Sequence, residues 1–185
     1  SILHFPLLPL WKGVQEKPGI DHKRPFSLSW DENGFVRQTS GGDVLQGVTE
    51  EYAKDQYNFL CSLPGTSSWG DRRGNEFLAV LYDVLSNATN AVVLEIGGGN
   101  LHIAENLVRR GNIKAYTAVD PTLTRVETED DRISIVPKFF DQNVSGSDDF
   151  DFVISMSCIE HVPDPVLFLK TIREALVRRN GRAAL

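Results

Sequence analysis

Ten consecutive residues, Ala91-Val92-Val93-Leu94-Glu95-Ile96-Gly97-Gly98-Gly99-Asn100, constrain this 185-residue chain more than any other stretch. The apolar, largely β-branched run suits a short strand covered on both faces, and it carries an acid near its end. Three consecutive glycines permit positive φ and remove every Cβ that would keep a ligand away from the backbone. Beyond them, apolar side chains at 101, 103, 104, 107 and 108 have helical spacing, and Gly111 stands where a helix-ending glycine belongs. Strand, glycine turn and helix in that order form a unit that holds a small molecule at the carboxyl end of a sheet strand.

The pattern repeats downstream. Residues 115–120 read as a second strand ending in Asp120, stopped by Pro121. Residues 132–136 and 151–156 read as a third and a fourth, with little room for a helix in 122–131 and a polar loop over 141–149. A last helix has Asp164 as its N-cap, Pro165 at its first position, and Val166, Leu169, Ile172, Leu176 and Val177 on one face. Asn180-Gly181 ends it, and 182–185 would begin a fifth strand. Strands alternating with helices imply right-handed crossovers, a mostly parallel sheet and helices on both of its faces.

Upstream, a helix is expected over 75–86 with Phe77, Val80, Leu81, Val84 and Leu85 on its buried face. Residues 63–70 read as a loop, and 48–60 as a helix capped by Thr49. Residues 26–39 read as a β-hairpin turning at Asp31-Glu32-Asn33-Gly34. Residues 1–25, with prolines at 6, 9, 18 and 25, read as an extended arm anchored by Phe5, Leu7, Leu8 and Trp11. The expected division is therefore an N-terminal arm, hairpin and cap over 1–70, and a ligand-binding domain over 71–185.

Composition excludes some functions. A net charge of −6 argues against nucleic acid as a partner, because phosphate binding needs a basic face. No apolar run approaches membrane-spanning length, and 1–10 lacks the basic start of a signal peptide. Two distant cysteines, Cys61 and Cys158, make neither a disulfide framework nor a zinc site, so the chain reads as cytoplasmic.

The glycine turn alone admits several nucleotides. A dinucleotide site uses G-x-G-x-x-G, but the third position here is His102, and Glu95 would lie close to any diphosphate. An NAD(P)-dependent oxidoreductase is therefore the weaker alternative. S-adenosylmethionine carries no phosphate; it presents an α-ammonium, a sulfonium and a ribose diol. Glu95 at the end of the first strand suits the ammonium, and Asp120 at the end of the second can accept from the ribose hydroxyls.

With these motifs in place, the chain resembles the class I S-adenosylmethionine-dependent methyltransferases. Val93 to Asn100 is similar to that family's first motif, and Ala118-Val119-Asp120-Pro121 to its second. The run from Phe150-Asp151-Phe152-Val153 through Glu160-His161-Val162-Pro163-Asp164-Pro165 is similar to the signature after its fourth strand. The resemblance covers about 75–185, and 136–140 look most like the sugar C-methyltransferase subgroup. It implies a Rossmann-like sheet of order 3-2-1-4 with the start of a fifth strand, and a chain that stops short of the family's full sheet. It also implies S-adenosylmethionine as cofactor, a small-molecule acceptor, and either a homo-oligomer or a second chain completing the fold. The zinc site of the subgroup's N-terminal domain is not carried over, because the paired cysteines are missing.

The resemblance assigns roles residue by residue. Glu95, Gly97, Gly98, Gly99 and Asp120 hold the cofactor. Phe139 and Phe140 form an adenine wall, and Asp141 contacts the adenine amino group. Ser155 and Met156, with Ser157, lie beneath the transferring methyl. Glu160 and His161 are the candidate general-base pair, against a structural role for the same dipeptide in shaping its loop. Leu101 replaces a usual glycine and is expected to tighten the methionine end, while Tyr52, Tyr57 and Trp69 are lid candidates. The alternative to an enzyme is a truncated fold that binds the cofactor or a partner without a complete acceptor site.

Overall fold

The structure is a computed structural model and describes residues 2–9, 23–39, 63–145, 150–177 and 182–184. The chain divides into two compact units, Ser1–Phe59 and Leu60–Leu185. The helix expected over 48–60, with Tyr52 and Tyr57, lies outside the described residues, as does Trp11.

The first unit contains an antiparallel sheet of order β1-β2-β3, with β1 at Leu3–Pro9, β2 at Lys23–Trp30 and β3 at Val36–Gln38. The expected hairpin is present. Its turn is closed by Asp31, whose Oδ1 accepts from the Asn33 and Phe35 amides and whose Oδ2 accepts from Arg37 Nε, each at 2.9 Å. The N-terminal arm, by contrast, is a strand rather than a loose extension. It pairs with β2 because the register shifts between Phe5 and Leu8, and that irregularity takes up Pro6, which has no N–H to give a ladder. Phe5, Leu7 and Leu8, expected to be anchors, are exposed.

The second unit is a five-stranded parallel sheet of order β6-β5-β4-β7-β8. The strands are β4 Ala91–Ile96, β5 Ile113–Val119, β6 Ile133–Val136, β7 Phe152–Ser155 and β8 Arg182–Ala184. This is the doubly wound order expected from the motifs, with β4 at the centre and β8 as the fifth strand. Side chains alternate between faces, as a covered strand requires. Val93 and Ile154 pack on the face that holds α1 (Ser68–Val84) and α2 (His102–Arg109). Leu94, Ile96 and Val153 pack on the face that holds α4 (Pro165–Val177), together with Val144 of α3 (Gln142–Ser145) and Phe150. Pro121–Arg125 forms a single 3-10 turn, as the short connection demands.

Two helix faces differ from expectation. α1 begins at Ser68, within the expected loop, because Ser67 caps it by accepting from the Gly70 amide at 3.0 Å. Its buried positions are Gly70, Gly74, Leu78 and Leu81, while Val80 and Val84 are exposed. In α4 the cap is Asp164, accepting from the Leu167 amide at 2.9 Å, but Phe168, Ile172, Ala175 and Leu176 are buried and Val166 and Leu169 exposed. Leu81, Leu85, Ile172 and Leu176 are buried as expected, but apolar residues occur on both sides of each helix, so periodicity alone sets the face only in part.

The amino end of β7 is clasped to β4. Asp151 donates its amide to Val92 O at 2.8 Å, and its Oδ2 accepts the Val92 amide at 2.8 Å. One residue thus satisfies both backbone groups of a partner 59 positions away and sets the register of the two central strands.

Candidate functional site

The carboxyl ends of β4, β5 and β7 converge on the glycine turn. Gly97 extends the ladder by donating to Val119 O at 2.9 Å, then turns with φ +89°, and Gly99 follows at φ +57°. A side chain at either position would be strained. Gly98 is needed for space instead. A Cβ there would lie 3.3 Å from Ala118 Cβ and 3.3 Å from Glu95 Oε2, so the turn runs directly against the buried Glu95 carboxylate and has no room for a side chain. Leu101, at φ +63°, is fully buried in the core shared with α2. Its side chain therefore packs beneath the turn and does not narrow the ligand side, contrary to the expectation for this position.

Glu95 is 3% exposed and lies on the α1/α2 face of the sheet. Tyr116, directed inward from β5, donates its hydroxyl to Glu95 Oε2 at 3.0 Å. Burial pushes the Glu95 acid up to about 7; the tyrosine hydrogen bond opposes that rise and the negative Asp120 adds to it. Tyr116, fully buried against the same carboxylate, is raised well above the usual phenol range. Asp120 ties the end of β5 to the turn. Its Oδ1 accepts from the Thr122 amide at 2.7 Å and the Thr122 hydroxyl at 2.6 Å, and its Oδ2 accepts from the Gly99 amide at 3.1 Å. An ionised carboxylate offers about four lone-pair sites, so Oδ2 retains acceptor capacity.

The rim comes from α1 and the loop before it. Asn100 Nδ2 donates to Pro64 O at 2.8 Å, and Leu63 Cδ2 stands 3.0 Å from where a Gly99 Cβ would be. Gly74 gives α1 its closeness to that loop, because a Cβ there would overlap Pro64 Cγ. Next to Gly74, Arg73 donates to Ser157 Oγ, its guanidinium 5.5 Å from the Trp69 ring centroid and 5.2 Å from that of Phe77. Ser157 has φ +54°, and its neighbour Cys158 packs over Gly97, 3.3 Å from where a Cβ would sit. Burial pushes the Cys158 thiol up. Arg73 therefore places a cation where the loop after β7 meets the glycine turn.

The sequence model of a methyltransferase domain family matches residues 69–184, well over half of the chain and all of this site except the 63–68 loop. The chain belongs to that family. Among solved structures, the methyltransferase domain is similar to the Burkholderia thailandensis 1,6-didemethyltoxoflavin-N1-methyltransferase, solved with 1,6-didemethyltoxoflavin and S-adenosylhomocysteine. The two share 21% identity over 86% of this chain and 67% of that one, at a TM-score of 0.50, a likeness that shows a Rossmann-like methyltransferase fold. It is also similar to the precorrin 8w decarboxylase of Methanobacterium thermoautotrophicum, at 15% identity over 58% of this chain and 60% of that one, TM-score 0.45. A Galdieria sulphuraria protein described as a sarcosine dimethylglycine methyltransferase is similar at 21% identity over 57% and 43%, TM-score 0.46. The chain spans 60% and 43% of the lengths of the last two relatives. None of the curated proteins compared with the chain matches it.

The methyltransferase domain gathers several of the expected site residues at the turn. Glu95, Gly97, Gly98, Gly99 and Asp120 form one cluster, and buried Ser155 borders it at the end of β7, opposite Ile96. Met156 follows, with its carbonyl 3.9 Å from where a Gly97 Cβ would lie. Phe140, an expected adenine wall, packs edge-on against Phe168 of α4 at 5.8 Å, while Phe139 is exposed. Asp141 caps α3, accepting the Asn143 and Val144 amides at 2.9 and 3.1 Å. Glu160 and His161 sit on an exposed 3-10 turn with Oε1 and Nε2 3.9 Å apart, beyond hydrogen-bond reach. The contacts of Tyr116 with Glu95 and of Arg73 with Ser157 were not legible in the sequence. Each residue is ordinary in its own element, and only the register of β5 on β4 and the pitch of α1 bring them to the turn. Among the described residues no group of three or more His, Cys, Asp or Glu could hold a metal ion, and no helix is long and apolar enough to cross a membrane.

Proposed function

We propose that the chain binds S-adenosylmethionine at the β4–β5 glycine turn and carries its methyl group to a small-molecule acceptor. The observation that supports this most is the pairing of two carboxylates, Glu95 and Asp120, at adjacent parallel strand ends across a turn without a third glycine. The fit is to a cationic ligand. Glu95 lies against the side-chain-free backbone of Gly98, where its carboxylate would take the α-ammonium, and it would repel a diphosphate. Asp120 Oδ2 has capacity for a ribose hydroxyl, and its bond to the Gly99 amide fixes its position beforehand. Arg73, held by Ser157 and two aromatic rings, supplies the charge that the amino-acid carboxylate requires.

The cofactor supplies an electrophilic methyl on a sulfonium, displaced in line to leave a neutral thioether. The chain contributes placement. The glycine turn and the Met156–Cys158 loop bring the donor to the ends of β4 and β7, where an acceptor can approach. Net charge and composition favour a small molecule over nucleic acid as that acceptor.

Calorimetric titration with S-adenosylhomocysteine, 5′-methylthioadenosine and NAD tests the reading. The first two are expected to bind, and Arg73→Met is expected to weaken S-adenosylhomocysteine roughly tenfold while sparing 5′-methylthioadenosine, which has no carboxylate. Binding of NAD with neither of the others would overturn it. Binding without transfer of labelled methyl to any small-molecule pool would restrict the chain to a cofactor-binding module.

A further inference from the structure

We infer that Tyr116 is a positioning residue for the cofactor's ammonium group: its buried hydroxyl fixes the Glu95 carboxylate in the orientation that receives the amine. The inference rests on the cofactor reading above and extends it to a residue outside every motif.

The geometry is specific. Glu95 is on β4 and Tyr116 on β5, and the two strands are bonded in register, Glu95 beside Ala118 and Val93 beside Tyr116. The tyrosine is thus two residues back along its strand, on the same face, and reaches forward to Oε2. The hydroxyl is bonded to Oε2, so the proposal gives the ligand Oε1. A phenylalanine would fill the same core volume. The hydroxyl is therefore not required by packing; it serves the carboxylate.

The surroundings make that hydroxyl decisive. The titratable groups acting on Glu95 are Tyr116 from β5 and Asp120 beyond the end of that strand. From β7 the neighbour in register is Ile154, and α2 contributes Ile103, Ala104 and Leu107 to the same apolar face. Apolar cover and a nearby carboxylate both favour the protonated acid, which cannot pair with an ammonium. Tyr116 is the group that favours the charged form.

The test is calorimetric titration of the full chain and Tyr116→Phe with S-adenosylhomocysteine at about pH 6, 7 and 8, with 5′-methylthioadenosine as the probe lacking the amine. Losing a hydrogen bond to the ionised carboxylate moves its titration up by about one pH unit. Tyr116→Phe is then expected to bind S-adenosylhomocysteine roughly fivefold more weakly at pH 7, about ninefold at pH 6 and about twofold at pH 8. 5′-Methylthioadenosine affinity is expected to match wild type throughout. Equal S-adenosylhomocysteine affinities across the range, or equal losses for both probes, would overturn the inference. Should Tyr116→Phe fold poorly, Glu95→Gln keeps an acceptor for the hydroxyl and is expected to bind without a pH step; a step that persists overturns the inference. Wild-type protein that binds neither probe removes the cofactor reading itself, whereas wild-type binding of both with an unchanged Tyr116→Phe removes the Tyr116 assignment alone.

Discussion

Leu101 provides a measurement of what the turn costs. It is fully buried yet held at φ +63°, a conformation in which an L side chain is disfavoured by about 1–2 kcal/mol. Leu101→Ala is expected to destabilise by about 3 kcal/mol through lost burial and the cavity left behind. The informative step is the next one, from alanine to glycine at this position. It loses a buried methyl, about 0.8 kcal/mol, and adds unfolded-chain freedom worth about 0.5 kcal/mol, but it relieves the positive φ. These contributions nearly cancel, so Leu101→Ala and Leu101→Gly should be about equally stable. Ala104, on α2 and equally buried in right-handed helix, is the matched control. There the alanine-to-glycine step costs about 1 kcal/mol in helix propensity and about 0.8 kcal/mol in burial, close to 2 kcal/mol together. Urea denaturation of Leu101→Ala, Leu101→Gly and Ala104→Gly reads both steps. An alanine-to-glycine step at position 101 as costly as at position 104 would refute the claim that this backbone is strained.

Glu95 predicts a pH dependence with an unusual sign. Its acid is raised in the folded chain, so between 4.5 and about 7 the folded state holds a proton that the unfolded state has released. Its contribution is fully present below 4.5 and is lost as pH rises through about 7, a change on the order of 3 kcal/mol. Glu95→Gln should therefore gain stability relative to wild type between pH 5 and pH 8; urea midpoints showing the same difference at both pH values would contradict the burial argument. Gly98→Ala keeps an allowed backbone but sets a methyl 3.3 Å from both Ala118 Cβ and Glu95 Oε2. It is expected to lose about 1 kcal/mol of stability and at least tenfold in S-adenosylhomocysteine affinity, and near-wild-type affinity would show that the ligand does not approach over Gly98.

Much of the second unit was legible because its signals are local. The strand over 91–96 and the helix face at 103, 104, 107 and 108 coincide with the structure, since a covered strand and a narrow apolar stripe leave one solution each. The parallel order follows from alternation, with β8 where a fifth strand was expected. The facing of α1 and α4 was legible only in part: Leu81, Leu85, Ile172 and Leu176 are buried as expected, whereas Val80, Val84, Val166 and Leu169 are apolar without being buried. The β1 strand was obscured by prolines, which argue against a strand until a shift in register accommodates them. Spacing was enough to place Glu95, the three glycines and Asp120 together at neighbouring strand ends. It does not say what Phe140 and Asp141 touch, because a residue after a strand can face several ways, and here they contact Phe168 and the α3 amides. The Tyr116–Glu95 contact depends on cross-strand register, which no single stretch encodes.

The clasp between Asp151 and Val92 lies at the opposite end of β4 from the glycine turn. Alignment of the two central strands is thereby decided at one pole, and the proposed ligand chemistry lies at the other. Loops at the ligand pole can then lengthen, shorten or change composition while the strands still find their register from the far side. For an experimenter, that makes the 156–164 loop a place to graft new acceptor contacts, and Asp151 the residue to leave alone while doing so.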